Sequence, residues 1–122
     1  MKQDNIILDK SFAFAVRIVK LYKYLCDEKK EYTLSKQLLR SGTSIGANIN
    51  EAQAAQSTND FIAKLSIASK EARESQYWIK LLIEADYLSL SEKQTQSLQN
   101  EIDEVVKLLT SIIKTTQERN KK

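Results

Sequence analysis

Leu98, Ile102, Val105, Leu109 and Ile112 fall on one line of a helical wheel, with Val106 and Ile113 beside it. Spacings that alternate between three and four residues mark a helix with one buried seam. Phe61, Leu65, Ala68, Ala72, Ser75, Ile79 and Leu82 draw a second seam upstream, and Leu34, Leu38, Ile45, Ile49 and Ala52 a third. Polar breaks at 27–32, 57–59 and 86–90 divide the chain into four expected helices, at 6–27, 33–56, 58–86 and 90–118. Thr33 is the expected N-cap of the second, Ser57-x-x-Asp60 opens the third, and Ser89-x-x-Glu92 has the capping-box pattern for the fourth. Helices of about 20–28 residues run roughly 30–40 Å, so the four match in length as an antiparallel bundle requires. The pattern predicts one all-α four-helix domain over residues 1–122.

The first helix carries more apolar surface than one core needs. Leu8, Phe12, Ala15, Val19 and Tyr22 make one stripe, and Phe14, Ile18, Leu21 and Leu25 make another. Together they span roughly 220° of the wheel, about twice what a monomeric bundle uses, and leave a strip with Lys10, Arg17, Lys20 and Lys23 for water. A second burial surface and hence a homo-oligomer are expected, with scattered exposed apolar side chains as the plainer alternative. On the second helix Arg40, Ser44, Ala47, Glu51 and Ala54 lie nearly in line on the side away from the seam. Small residues there admit a neighbouring backbone, although an ordinary solvated alanine face reads the same way. Gly42 and Gly46 each cost about 1 kcal/mol of helix propensity relative to alanine, so close packing is expected to offset it.

Composition narrows the classes further. The chain has 122 residues, no proline and only two glycines, which leaves little punctuation for strands and tight turns. The one cysteine, Cys26, forms no intrachain disulfide and suits a reducing cytoplasm as a buried structural thiol. Residues 1–25 do not read as a signal peptide, because Arg17, Lys20 and Lys23 interrupt the apolar run. Nothing approaches the roughly 20 uninterrupted apolar residues of a membrane span, so a cytoplasmic protein without membrane contact is expected. The net charge of +3 is a mild basic excess, well short of a dedicated nucleic-acid binder.

The absence of histidine removes Ser-His-Asp and Cys-His relays, ordinary zinc sites and the Glu-x-x-His di-iron motif of bundles, and no glycine-rich phosphate loop exists. Glu71-x-x-Glu74 with Glu101-x-x-Glu104 superficially resembles the paired acidic motifs with which all-helical nucleotide pyrophosphohydrolases hold magnesium. Lys107 beside Glu104 gives the simpler reading of a surface pair. Neither catalysis nor a cofactor is expected. Arg40, Glu71 and Glu74 sit on half-apolar faces, where an unpaired charge costs several kcal/mol, so Arg40 is expected to bond Glu71 or Glu74.

One stretch is specific in order and spacing. Arg40 is followed by Ser44-Ile45 and Asn48-Ile49-Asn50-Glu51, then by the opening Ser57 to Phe61. Ile67-Ala68-Ser69-Lys70-Glu71-Ala72-Arg73-Glu74 comes next and ends at Tyr77-Trp78. Over residues 38–82 this resembles the small bundle proteins of the 23S rRNA intervening-sequence family, some of them labelled ribosomal proteins. The chain departs from that pattern at Ala52, where glycine is frequent, and at Gly46, where alanine or a polar residue is common. The resemblance implies an up-down-up-down bundle assembled into a toroidal pentamer, without catalytic activity. It also implies kinship with the accessory variability proteins of diversity-generating retroelements, which associate with nucleic acid and a reverse transcriptase.

Two functions follow as expectations. The first is an oligomeric, non-enzymatic module that associates with RNA or DNA without reading sequence, alone or with a protein partner. Five copies would carry about +15, with Lys10, Arg17, Lys20, Lys23, Lys114, Arg119, Lys121 and Lys122 as candidate phosphate contacts. The second is a scaffold for protein partners that binds no nucleic acid. Arg40, Asn48, Glu51, Glu71 and Glu74 are the candidate polar network at an interface.

Overall fold

The computed structural model describes residues 2–121, with side chains from residue 6 onward. Four helices follow one another: α1 (Lys2–Asp27), α2 (Leu34–Ala52), α3 (Thr58–Glu84) and α4 (Lys93–Asn120). Each packs on the next in sequence and α4 returns against α1, while the diagonal pairs stay apart among the described residues. That is an up-down-up-down antiparallel bundle. Its core is drawn from the expected seams, with Leu65, Ala68, Ala72, Ile79 and Leu82 buried from α3 and Leu98, Ile102, Val105, Leu109 and Ile112 from α4. From α1 the buried stripe is Phe14, Ile18 and Leu25, extended by Ile7 and by Ser11, whose hydroxyl donates to the Leu8 carbonyl at 3.1 Å.

The helix ends correct the expected boundaries. α2 begins beneath Glu31 rather than at a Thr33 side-chain cap, which is not formed. The buried Glu31 carboxylate accepts from the backbone N–H groups of Thr33, Leu34 and Ser35 at 2.8, 3.0 and 2.6 Å. Thr33 itself takes helical dihedrals, φ −99 and ψ −58, rather than the extended ones with which a side chain caps. At its other end α2 stops at Ala52, four residues early. Gln53, Ala54 and Ala55 donate to the carbonyls three residues back, tightening the last turn away from α-helix. Ser57 does cap α3, accepting from Asp60 N at 3.0 Å while Asp60 accepts from Gln56 N at 3.2 Å. The Ser89 box is not used. Ser89 bonds Ser91 instead, and α4 starts later, after Glu92. α3 ends with Asp86 in the left-handed region at φ 67, which lets Tyr87 N reach the Leu82 carbonyl at 2.9 Å.

The two glycines bring α1 and α2 together, but unequally. A Cβ on Gly42 would lie 2.9 Å from Ile18 Cγ1 and 3.0 Å from Cγ2, whereas one on Gly46 would sit 3.4 Å from Ser11 Oγ, an ordinary contact. Ile18 is β-branched and fully buried, so it has no free rotamer to retreat into. Gly42→Ala is therefore expected to lose about 1–2 kcal/mol by overpacking despite its better propensity, while Gly46→Ala gains up to about 1 kcal/mol. Urea titrations of the two variants check this, and equal midpoints would show that neither glycine is needed for the approach.

Candidate functional site

The α2–α3 seam holds the polar cluster. Arg40 reaches across it to Glu71, with Nη1 2.9 Å from Oε2, and its Nη2 bonds Glu74. Glu71 and Glu74 lie three residues apart on one helix face, so a single guanidinium fork spans both. Directly below, Ser41 and Ser75 are buried with their hydroxyl oxygens 2.9 Å apart, and Ser75 donates to the Glu71 carbonyl at 2.9 Å. The other two expected members stand outside. Asn48 donates to the Ser44 carbonyl at 2.8 Å on its own helix, and Glu51 faces Lys64 at 3.8 Å. Beyond the cluster, Trp78 packs edge-to-face on Tyr77 at 5.1 Å, and its buried indole N–H finds no acceptor among the described residues.

Arg40 is less buried than the sequence suggests. Its side chain is 52% exposed, against 15% for Glu71 and 37% for Glu74. Arg40→Ala is accordingly expected to cost about 1–2 kcal/mol, between a surface pair and a buried one, and more than the exposed Arg73→Ala. Added salt should narrow the gap between their melting temperatures. Indistinguishable melts would make Arg40 an ordinary surface residue.

The expected basic strip on α1 is divided. Lys10 and Arg17 are already partnered, because α4 packs against that flank and brings its acidic residues next to them. Lys10 Nζ lies 2.8 Å from Glu104 Oε2. That hydrogen bond raises the Lys10 amine above its ordinary value and lowers the Glu104 carboxyl. Arg17 donates to the Gln94 carbonyl at 2.9 Å and Ser97 Oγ at 3.0 Å, and contacts Glu101 at 3.4 Å. Glu101 and Glu104 thus serve as partners of α1. Among the described residues no group of three His, Cys, Asp or Glu side chains is placed to hold a metal ion. Lys20 and Lys23 remain exposed on α1, as do Lys114 and Lys121 toward the end of the chain. Arg119 is exposed but engaged in an interaction of its own, and Lys122 lies outside the described residues.

Cys26 is half-buried rather than buried, with Sγ 3.9 Å from Ser35 Oγ. Its hydrogen bond to Tyr22 raises that phenol above the ordinary value.

Two further features complete the surface. Phe12 and Val19, from the stripe that runs from Leu8 to Tyr22, are 71% and 37% exposed, and Val16 beside them is 39% exposed, so the middle of that stripe lies outside the core. On the opposite flank of α1 a cleft of about 550 Å³ opens toward α4. Arg17, Lys20 and Tyr24 edge it from α1, and Leu21, Leu88 and Leu98 give it an aliphatic lining. Positions 17, 20 and 24 are three and four apart and share a helix face. That spacing is a basic-plus-aromatic pattern which reading the lysines alone passes over.

The fold and its surface define an all-helical four-helix bundle with polar seams between neighbouring helices. The 23S rRNA-intervening sequence protein family matches residues 3–111, and the chain belongs to that family. Among solved structures it is similar to a protein of unknown function from the S23 ribosomal protein family of Bacteroides thetaiotaomicron. The two share 58% identity over 92% of this chain and 98% of the other, with a TM-score of 0.88. No curated protein matches the chain. No helix among the described residues is long and apolar enough to cross a membrane.

Proposed function

We propose that this chain is a non-enzymatic, self-associating bundle protein that works in the cytoplasm as an accessory module and associates with RNA or DNA without reading sequence. The observation that carries the reading is the uncovered α1 stripe, whose Phe12 ring is 71% exposed although the core is complete without it. A second uncovered apolar position lies on α3, where Ile67 and Tyr77 are exposed beside the unsatisfied Trp78 indole. α1 and α3 occupy diagonal corners of the bundle, so contacts between these unlike surfaces are heterologous and close into a ring when the rotation allows. The pentamer implied by the family resemblance is the preferred closure. Sedimentation equilibrium at micromolar protein should return about five times the 14.0 kDa chain mass, and the chain mass alone would refute the reading.

The phosphate contacts in this proposal are Lys20, Lys23, Lys114 and Lys121, all exposed. Lys10 and Arg17 contribute less because Glu104 and Glu101 already balance them. That neutralisation also favours a second reading, a scaffold for protein partners with no nucleic acid. Filter binding across a salt series separates the two. Electrostatic binding weakens with a log–log slope of about one unit per phosphate contact, and Lys20→Glu with Lys23→Glu should flatten it by about two. No retention of RNA or DNA at low salt would leave the scaffold.

A further inference from the structure

We infer that the cleft between α1 and α4 receives a single unpaired nucleotide, its base stacked on Tyr24 and its phosphate on Lys20. The inference rests on the nucleic-acid reading above and adds a place and a strand preference to it. The cleft is about 550 Å³, within the range of about 300–1,000 Å³ that holds small ligands and wide enough for a nucleotide. Its chemistry is divided in the way a nucleotide is divided. Leu21, Leu88 and Leu98 supply an apolar lining for a flat base, and Tyr24, 42% exposed, supplies an aromatic ring. Lys20, one helical turn from Tyr24 and exposed, makes no ion pair or hydrogen bond among the described residues and so keeps its ammonium for a phosphate. Arg17 differs, because Gln94, Ser97 and Glu101 hold its guanidinium and fix one wall of the cleft. Glu92 on the α4 side repels phosphate and confines it to the Lys20 lip.

A base paired in a duplex has both faces covered by its neighbours and cannot enter. An unpaired base can be splayed onto an aromatic side chain, which is how single strands are held without sequence readout. The site therefore favours single strands, through Tyr24 and Lys20, neither of which belongs to the buried core.

The test uses a short single-stranded RNA carrying one 2-aminopurine, the same RNA in duplex form, and the assembled protein at low salt. The single strand should bind more tightly than the duplex and change its fluorescence on binding. Tyr24→Leu should weaken single-strand binding about tenfold, as expected for losing one base–aromatic stack, and remove the fluorescence change. Tyr24→Phe should retain both, and Lys20→Ala should flatten the salt slope by about one unit. Circular dichroism confirms that each variant is folded. Equal affinity for single strand and duplex, or Tyr24→Leu binding like the wild type, would overturn the cleft while leaving electrostatic association in place. Binding of neither RNA at low salt would overturn that association and the cleft with it.

Discussion

Phe12→Glu combined with Val19→Glu is expected to convert the proposed assembly to a 14.0 kDa species with unchanged helix content. Neither side chain belongs to the buried core, which takes Phe14 and Ile18 from the same helix. Their loss therefore removes nothing that holds the bundle together. In an assembly, burying a phenylalanine and a valine contributes about 1.5–3 kcal/mol each, and a carboxylate in their place adds a desolvation penalty. A loss of about 4 kcal/mol per interface raises the dissociation constant roughly 1,000-fold, enough to empty the assembled state at micromolar protein. Size-exclusion chromatography with light scattering reads the mass directly. An assembly of unchanged mass would place the contacts elsewhere and leave Phe12 as an exposed side chain without a structural role.

That prediction depends on which of the two α1 stripes enters the core, and the sequence alone did not distinguish them. Periodicity identifies a face, and α3 and α4 each present one main apolar seam, so their buried residues were legible down to Ser75 and Val106, although the buried Thr95 was not. α1 presents two, and the choice depends on where α2 and α4 land. Position 18 wins because Gly42 opens a slot for its side chain, a pairing between helices that no single-helix pattern contains. The same reason explains the basic strip. Lys10 and Arg17 look solvated on an isolated wheel, and only the approach of α4 puts Glu104 and Glu101 against them. Arg40 was legible as a residue needing a carboxylate, because Glu71 and Glu74 were the acidic groups on a matching face. Its exposure was not, since a wheel shows which face a side chain takes but not how closely the neighbouring helix covers it. The cleft at Tyr24 is assembled from α1, α4 and the connection between α3 and α4, so its lining residues are far apart in the chain.

Glu31→Ala is expected to cost about 2–3 kcal/mol at neutral pH, the scale of a charged hydrogen-bond acceptor lost from a buried site. The carboxylate sits below the first turn of α2 and is met there by three backbone N–H groups at 2.6–3.0 Å. It also lies at the positive end of the helix dipole. Alanine leaves those donors without a partner, and the Ser35 N–H is enclosed where water cannot replace it. Glu31→Gln keeps an acceptor but loses the charge, and should cost about half as much. The dependence on pH follows from the same contacts. Burial alone would push the Glu31 carboxyl up, but the N–H groups of Leu34, Ser35 and Thr33 outweigh it and hold the group below the ordinary carboxylate value. The folded state therefore favours the anion, so this stabilisation is complete above the ordinary carboxyl pKa of about 4.3 and is lost as pH falls through the lower folded value. The exposed Lys10–Glu104 pair contributes little to the same acid limb, because solvent screens it. Thermal melts of wild type and Glu31→Gln at fixed protein concentration should differ most near pH 7 and converge below about pH 4. A melting difference that persists unchanged into acid would mean that Glu31 acts through its shape, and that the three hydrogen bonds do not set the start of α2.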